Sequence, residues 1–262
     1  MDNLVIAAIF RNEGRYLREW LEFHLLVGVS KFYLYNNRSD DAWEAILEPY
    51  VASGCCEVTD WPLPNPAQFL AYENAIEKLA GQDTWCAFID CDEFLFSPHF
   101  DTVTEALRFF PKRYGAVGVN WMCFGSSGHE AYSPEPVIQR FTWRPKTKSD
   151  FNLHIKSLVR MNQEVWVGDT PHNFRTEKGT FSEAGEPING PFSPRHRSDI
   201  LRINHYSSKS RGEWLERSKL GKPDRPDSMP IDPEWYEKRQ ARDVDDRQIM
   251  KFLPALKERL RG

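Results

Sequence analysis

The chain has 262 residues, 40% of them apolar and 13% aromatic, with a formal net charge of -4. That apolar share is ample for a packed core and excludes a disordered chain, while the acidic balance argues against nucleic acid as a partner. The five cysteines are odd in number and lack a second pair at zinc spacing, so they read as free thiols. With no signal-like start and no run of about 20 apolar residues, the expected location is cytoplasmic.

Residues 4–10 are an unbroken apolar heptad and read as a first, central strand, stopped by Arg11-Asn12-Glu13-Gly14. Leu17, Trp20, Leu21, His24 and Leu25 then recur at helical spacing. Residues 32–35 form a short aromatic strand closed by Asn36-Asn37 and a polar turn through Asp41. A helix fits 43–50, and a third strand fits 56–61, ended by Pro62, Pro64 and Pro66. Ala71, Ala75 and Leu79 line one face of another helix. Residues 85–89 have the low polarity of a strand buried on both faces of a parallel sheet, and they run straight into Asp90, Asp92 and Glu93.

Thr102 and Glu105 have capping-box spacing ahead of an apolar stripe of Val103, Ala106, Leu107 and Phe110. Strands are predicted at 116–122 and 154–159. Residues 170–199, rich in Pro, Gly and Ser, read as a long, partly mobile loop. Extended structure resumes at 201–204, and 210–219 is helical. A proline-rich linker at 222–233 precedes a final charged helix from about 234 to 260. Strand and helix alternate through the first half. The expected architecture is therefore α/β: one domain over 1–221 with a mixed, mostly parallel sheet flanked by helices, then the linker and a C-terminal helical tail over 234–262.

Open α/β sheets bind ligands outside the carboxyl ends of their strands. Acids gathered at such a rim are costly unless a cation sits against them, and a hard divalent ion carrying phosphate oxygens suits them. An isolated Asp-x-Asp is common, and solvated acids at a strand end are the plain alternative. The buried strand before this motif and Glu-Phe-Leu after it favour a metal at Asp90 and Asp92. His205 follows an extended apolar segment and can complete the shell as a neutral imidazole, although a lone His is more often packed or capping. Lys209, Arg211 and Lys156 are basic candidates for a diphosphate. Arg11, Asn12 and Glu13 end the first strand, and Asn37 and Asp41 follow the second, on the same rim. They can hydrogen-bond a base and ribose, with ordinary turn capping the alternative for each.

Taken in order, Phe-Arg-Asn-Glu (10–13), Glu-Trp-Leu-Glu-Phe-His (19–24), Tyr-Asn-Asn-Arg-Ser-Asp-Asp (35–41), Phe-Ile-Asp-Cys-Asp-Glu-Phe-Leu (88–95), Trp-Met-Cys-Phe-Gly-Ser-Ser-Gly-His (121–129) and Asn-His-Tyr-Ser-Ser-Lys-Ser (204–210) form a set. That set resembles glycosyltransferase family 92 and related bacterial family 2-like transferases. The resemblance implies a single nucleotide-binding domain of the glycosyltransferase A type. It implies transfer, with inversion, of a sugar from a nucleotide-diphosphate donor to a glycan or glycolipid acceptor. It also implies manganese or magnesium at Asp90 and Asp92, with His205 as a late ligand. Asp90 alternatively holds the ribose or reaches the metal through water. A UDP-sugar is the expected donor.

The chain departs from the family's pattern in three places. Cys91 fills the middle of the acidic motif, a paired-His segment is reduced to Pro171-His172-Asn173, and a membrane anchor like that of the eukaryotic members is not expected, nor the Golgi-type location that goes with it.

Inversion needs a base opposite the leaving group. Glu130, just after Gly-Ser-Ser-Gly-His, is the first candidate, with His129, Asp169 and His172 as rivals. Trp121, Trp143 and Trp166 are candidates to stack on sugars, burial being the commoner role of any one. A phosphatase with a nucleophilic Asp also places Asp-x-Asp after a buried strand, but on the N-terminal strand and with Thr or Val where this chain has Phe94. A non-catalytic sugar- or nucleotide-binding module is the third reading. The basic final helix, with apolar Ile249, Met250, Phe252, Leu253, Leu256 and Leu260, is a candidate for peripheral contact with an anionic inner membrane face, or for packing on the domain.

Overall fold

The computed structural model describes residues 3–219 and 233–262. In chain order the elements are β1 (Asn3–Phe10), α1 (Gly14–Leu26), β2 (Lys31–Asn36), α2 (Trp43–Ala52), β3 (Cys56–Asp60), α3 (Ala67–Leu79), β4 (Thr84–Phe88), β5 (Glu93–Phe96) and α4 (Val103–Leu107). There follow β6 (Ala116–Cys123), α5 (Val137–Arg140), β7 (Trp143–Arg144), β8 (Ile155–Arg160), β9 (Val165–Val167), β10 (Phe174–Thr176), β11 (Thr180–Phe181) and β12 (Arg202–His205). The chain closes with α6 (Arg211–Ser218), α7 (Pro233–Glu237), β13 (Val244–Asp245) and α8 (Leu253–Arg261).

The main sheet runs in the order β3-β2-β1-β4-β8-β6-β12-β5, with β11 paired to β6 off this path. Pairings within β3-β2-β1-β4 and β6-β12 are parallel; β8 and β5 run against their neighbours. This is the mixed, mostly parallel α/β sheet expected. Its parallel strands end on one rim, and the antiparallel β8 begins there. Trp20, Leu21 and Phe23 of α1 pack on one face of the sheet, and Ala71, Ala75 and Leu79 of α3 pack on the other. The capping box at Thr102 and Glu105 is formed as expected. All five cysteines are free.

Two side chains of α1 hold the segment that follows the acidic turn. Trp20 Nε1–H donates to the Glu93 carbonyl at 2.8 Å, and the fully buried His24 accepts from Leu95 N–H on Nε2 at 3.1 Å. His24 Nδ1 hydrogen-bonds the Trp20 carbonyl at 2.8 Å. Only a neutral imidazole can donate on one nitrogen and accept on the other. Burial pushes His24 down to about 3, opposed only by the bond to Trp20. Because the folded value lies below the unfolded one of about 6.5, this stabilisation is complete above pH 6.5 and is lost as pH falls toward 3. At about 1.4 kcal/mol per unit, with the unfolded His already half protonated at pH 6.5, His24→Gln should cut the stability lost between pH 6.5 and 4.5 by about 2 kcal/mol. Urea midpoints at the two pH values measure this; an unchanged pH difference in the variant would refute it.

Two regions differ from expectation. Residues 170–199 are mostly loop, as expected, but with more pairing than expected. They include β10 and β11, and the Glu183 carboxylate accepts from the N–H groups of Asp199, Ile200 and Leu201 at 2.8, 2.8 and 3.1 Å. The tail is not one helix from 234 to 260. Val244–Asp245 pairs with β7, and Asp246 Oδ2 accepts from Arg144 at 2.7 Å and Arg202 at 2.8 Å, which ties an extended stretch to the domain. Pro254 then stands in the first turn of α8, where its missing N–H costs nothing; inside a longer helix it would break the ladder.

The apolar tail residues named for a membrane face are largely used within the fold. Ile249, Phe252 and Leu256 are buried, with the Phe252 ring 5.5 Å from that of Phe23, and Leu253 and Leu260 pack against the same core. Among the described residues no helix is long and apolar enough to cross a membrane. The linker expected over 222–233 lies outside the described residues, except for Pro233, which opens α7.

Candidate functional site

After β4 the backbone turns through Asp90, Cys91 and Asp92. Glu93 N–H donates to the Asp90 carbonyl at 3.0 Å, and Asp90 N–H donates to Glu93 Oε2 at 3.1 Å. In an extended strand neighbours point to opposite faces. The turn instead brings Asp92 and Glu93 inward together, and the β12 register sets His205 opposite Glu93 on one side and Cys123 on the other. One ligand atom from each of Asp92, Glu93 and His205 lies within 4.8 Å of the others, and all three side chains are buried.

Burial alone would raise the Asp92 carboxyl. Arg217 and His205 outweigh it and hold the group well below the usual carboxylate range. The Arg217 guanidinium donates to Asp92 Oδ2, and His205 Nε2 lies 3.6 Å from Oδ1. Burial lowers His205 against the pull of Asp92, which favours the neutral form a ligand needs. Burial pushes Glu93 well above its usual range, with Lys156 opposing.

Asp90 does not join this cluster. Its Oδ2 accepts from Lys156 at 2.8 Å and its Oδ1 from Gln68 at 2.9 Å. Lys156 is fully buried and also lies 3.6 Å from Glu93 Oε1. Expected on a diphosphate, it is instead paired with Asp90 and faces Glu93.

A cavity of about 450 Å³ opens beside Asp92's partner Arg217, between the start of α1, the start of α2 and α6. It gathers Arg11, Asn12, Glu13, Asp41 and Lys209, together with Tyr16 and Arg217. Lys209 sits over the Tyr16 ring at 3.8 Å and lies 3.6 Å from Glu13 Oε2. Several of these groups also build the rim. Asn12 Oδ1 accepts from Asp40 N–H at 2.9 Å, and Asp41 Oδ2 accepts from Gly14 N–H at 2.7 Å. A side chain at Gly14 would start 2.8 Å from that same oxygen.

Asn37, Arg211 and Glu130 are outside the cavity. The Asn37 amide donates to the Trp61 and Leu63 carbonyls at 2.8 and 3.1 Å, so it staples two loops. Arg211 and Glu130 lie 3.9 Å apart, with 61% and 76% of their side chains exposed. Of the rivals to Glu130, Asp169 is exposed and paired with Arg175, and His129 is bonded to the Arg140 carbonyl at 3.0 Å. His172 packs edge-on against Trp121, 5.0 Å between ring centroids, and Trp121 packs against His205 at 4.2 Å. Trp121 is buried among these histidines, while Trp166 is half exposed on β9.

Sequence reasoning passed over Glu93 as a ligand, and missed Gln68 and Arg217 altogether. The signal for Glu93 was its adjacency to Asp92. Arg217 and Gln68 carried none, because only folding brings them across 125 and 22 residues.

The donor set fits a hard divalent cation: two carboxylates and an imidazole. Asp92 Oδ1 and Glu93 Oε1 are buried without a hydrogen-bond donor among the described residues, as are Glu13 Oε2, Ser207 Oγ and Ser208 Oγ nearby. A bound cation would satisfy the two carboxylate oxygens of Asp92 and Glu93.

A family model described as Glycosyltransferase family 92 matches residues 6–174. A protein of that family from Oryza sativa subsp. japonica is 26% identical over 261 residues, covering 90% of this chain and 42% of its own length. Another, from Ricinus communis, is 28% identical over 145 residues, covering 54% and 26%. The chain thus spans less than half the length of these relatives. Among solved structures, S. aureus TarS 1-349 in complex with UDP aligns with a TM-score of 0.40 at 13% identity, over 61% of this chain and 47% of that one. Glucosyl-3-phosphoglycerate synthase from Mycobacterium tuberculosis, in complex with Mn2+, UDP and glucosyl-3-phosphoglycerate, aligns with a TM-score of 0.32 at 15% identity, over 46% and 44%.

Proposed function

The chain belongs to glycosyltransferase family 92, and on that premise we propose that it moves a sugar from a nucleotide-diphosphate donor, a UDP-sugar, to a hydroxyl of a saccharide or lipid-linked acceptor. The observation that carries this reading is the convergence of Asp92, Glu93 and His205 within 4.8 Å, with Asp92's partner Arg217 lining a cavity that also holds Arg11, Arg15 and Lys209 among acidic Glu13, Asp41, Glu213 and Glu216. Those three residues would hold manganese or magnesium, which when bound acts as a Lewis acid on the diphosphate and offsets the charge it takes on as the sugar leaves.

Each neighbour then has a task. Arg11 and Lys209 line the cavity and offer donors to phosphate oxygens. Asp90, fixed by Lys156 and Gln68 with 29% of its side chain exposed, keeps lone pairs for a ribose hydroxyl. The burial of Asp92, Glu93 and His205 would strengthen their hold on a cation.

For the acceptor proton we propose His172 in place of Glu130. Its ring packs on Trp121, which in turn packs on His205, whereas Glu130 stands in solvent. A base opposite the leaving group makes the reaction inverting. His172→Gln should lower transfer kcat about a hundredfold and leave donor affinity unchanged, while Glu130→Gln should change kcat less than about threefold. A Glu130 effect larger than that of His172 reverses the assignment.

The function itself is tested by donor hydrolysis. Pure protein with UDP-glucose or UDP-galactose should release UDP only when manganese or magnesium is present. No release from any nucleotide sugar, with hydrolysis of a generic aryl phosphate instead, would replace this reading with a phosphatase.

A further inference from the structure

Arg217 is the strongest group at the site that neither holds the metal nor shapes the sheet. It is the penultimate residue of α6, donates to Asp92 Oδ2 and lines the same cavity as Arg11 and Lys209. Asp92 itself is almost wholly buried, yet 36% of the Arg217 side chain is exposed. The guanidinium therefore has a path off the carboxylate and into the cavity. A buried carboxylate needs a positive partner, but two cations crowded on it repel each other strongly in a dry setting. The planar fork of arginine suits phosphate as well as it suits carboxylate.

We propose that Arg217 is a resident counter-ion that competes with the divalent cation for Asp92 and transfers to the donor's diphosphate when that enters the cavity. It is thus a positioning residue that makes metal and nucleotide binding cooperative. The proposal rests on the metal-centre reading above. Without nucleotide, the guanidinium neutralises Asp92 and weakens the cation's hold. With a diphosphate in the cavity, the guanidinium has a second anion to pair with, and Asp92 is released to the metal. Linkage requires the effect to be reciprocal, so the metal must tighten the nucleotide by the same factor.

Calorimetric titration of Mn2+ into the full chain, without nucleotide and then with saturating UDP, tests this. Arg217→Gln should bind Mn2+ alone about tenfold tighter than the unaltered chain, and the tightening that UDP adds should be about tenfold smaller. A residue that merely supports the fold would move the first number the other way. Arg217→Lys keeps the charge but loses the fork, and should tighten Mn2+ alone about threefold; it carries the test if the Gln variant does not fold. Mn2+ binding that is equal or weaker in the variants overturns the counter-ion role and leaves the metal centre standing. No Mn2+ binding by any of the chains overturns both.

Discussion

Asp92→Asn should lower metal-dependent donor turnover by about a thousandfold, on the order of 4 kcal/mol of transition-state stabilisation. The substitution keeps the shape of the side chain and removes its charge. Asp92 is the carboxylate that Arg217 and His205 hold ionised despite burial, so it is the one whose charge is present before any cation binds. Its loss should also abolish the calorimetric signal for Mn2+, which separates a ligand role from a general loss of activity. The fold should survive, because Arg217 is part exposed and can turn its guanidinium to water when its partner becomes neutral. Turnover within tenfold of the unaltered chain, with Mn2+ still binding, would remove Asp92 from the metal centre.

The second large effect is on stability. Lys156→Met should cost about 3–5 kcal/mol, a fall of about 10 °C in the melting temperature, since breaking a buried ion pair strands the remaining charge. The ammonium is fully buried, 2.8 Å from Asp90 Oδ2 and 3.6 Å from Glu93 Oε1. Met matches its stem but brings no charge. Adding Asp90→Asn to Lys156→Met should recover part of the loss, because it removes the carboxylate that the ammonium pairs with at 2.8 Å. A double-mutant cycle on melts in chelator reads that coupling. If Asp90→Asn gives no recovery, the loss comes from packing alone and the electrostatic account of Lys156 is wrong.

Much of the fold was legible because it rests on local pattern. The heptad at 4–10, the helical stripe of Leu17, Trp20 and Leu21 and the apolar run at 85–89 each have one economical structure, and each forms it. The tail was misread for an equally local reason. Its charge and apolar spacing suggested one helix, while Pro254 and the Asp246 anchor to Arg144 and Arg202 divide it. The loop at 170–199 is a loop as expected, but its ties were not legible, because they come from Glu183, whose three backbone donors lie 16 to 18 residues away.

The amino-acid sequence by itself determined that acids stand at the end of a buried strand, that His205 ends another, and that a parallel sheet would carry both to one rim. These follow from hydrophobic periodicity and the direction of parallel strands. Only the tertiary structure decided how the charges pair. It turned Asp90 toward Lys156, brought Glu93 in beside Asp92, set Arg217 on Asp92 and left Glu130 in solvent. The reason is physical: a buried charge takes whichever counter-charge the packing brings within a few ångströms, and that partner is fixed by the crossing of distant elements rather than by spacing along the chain.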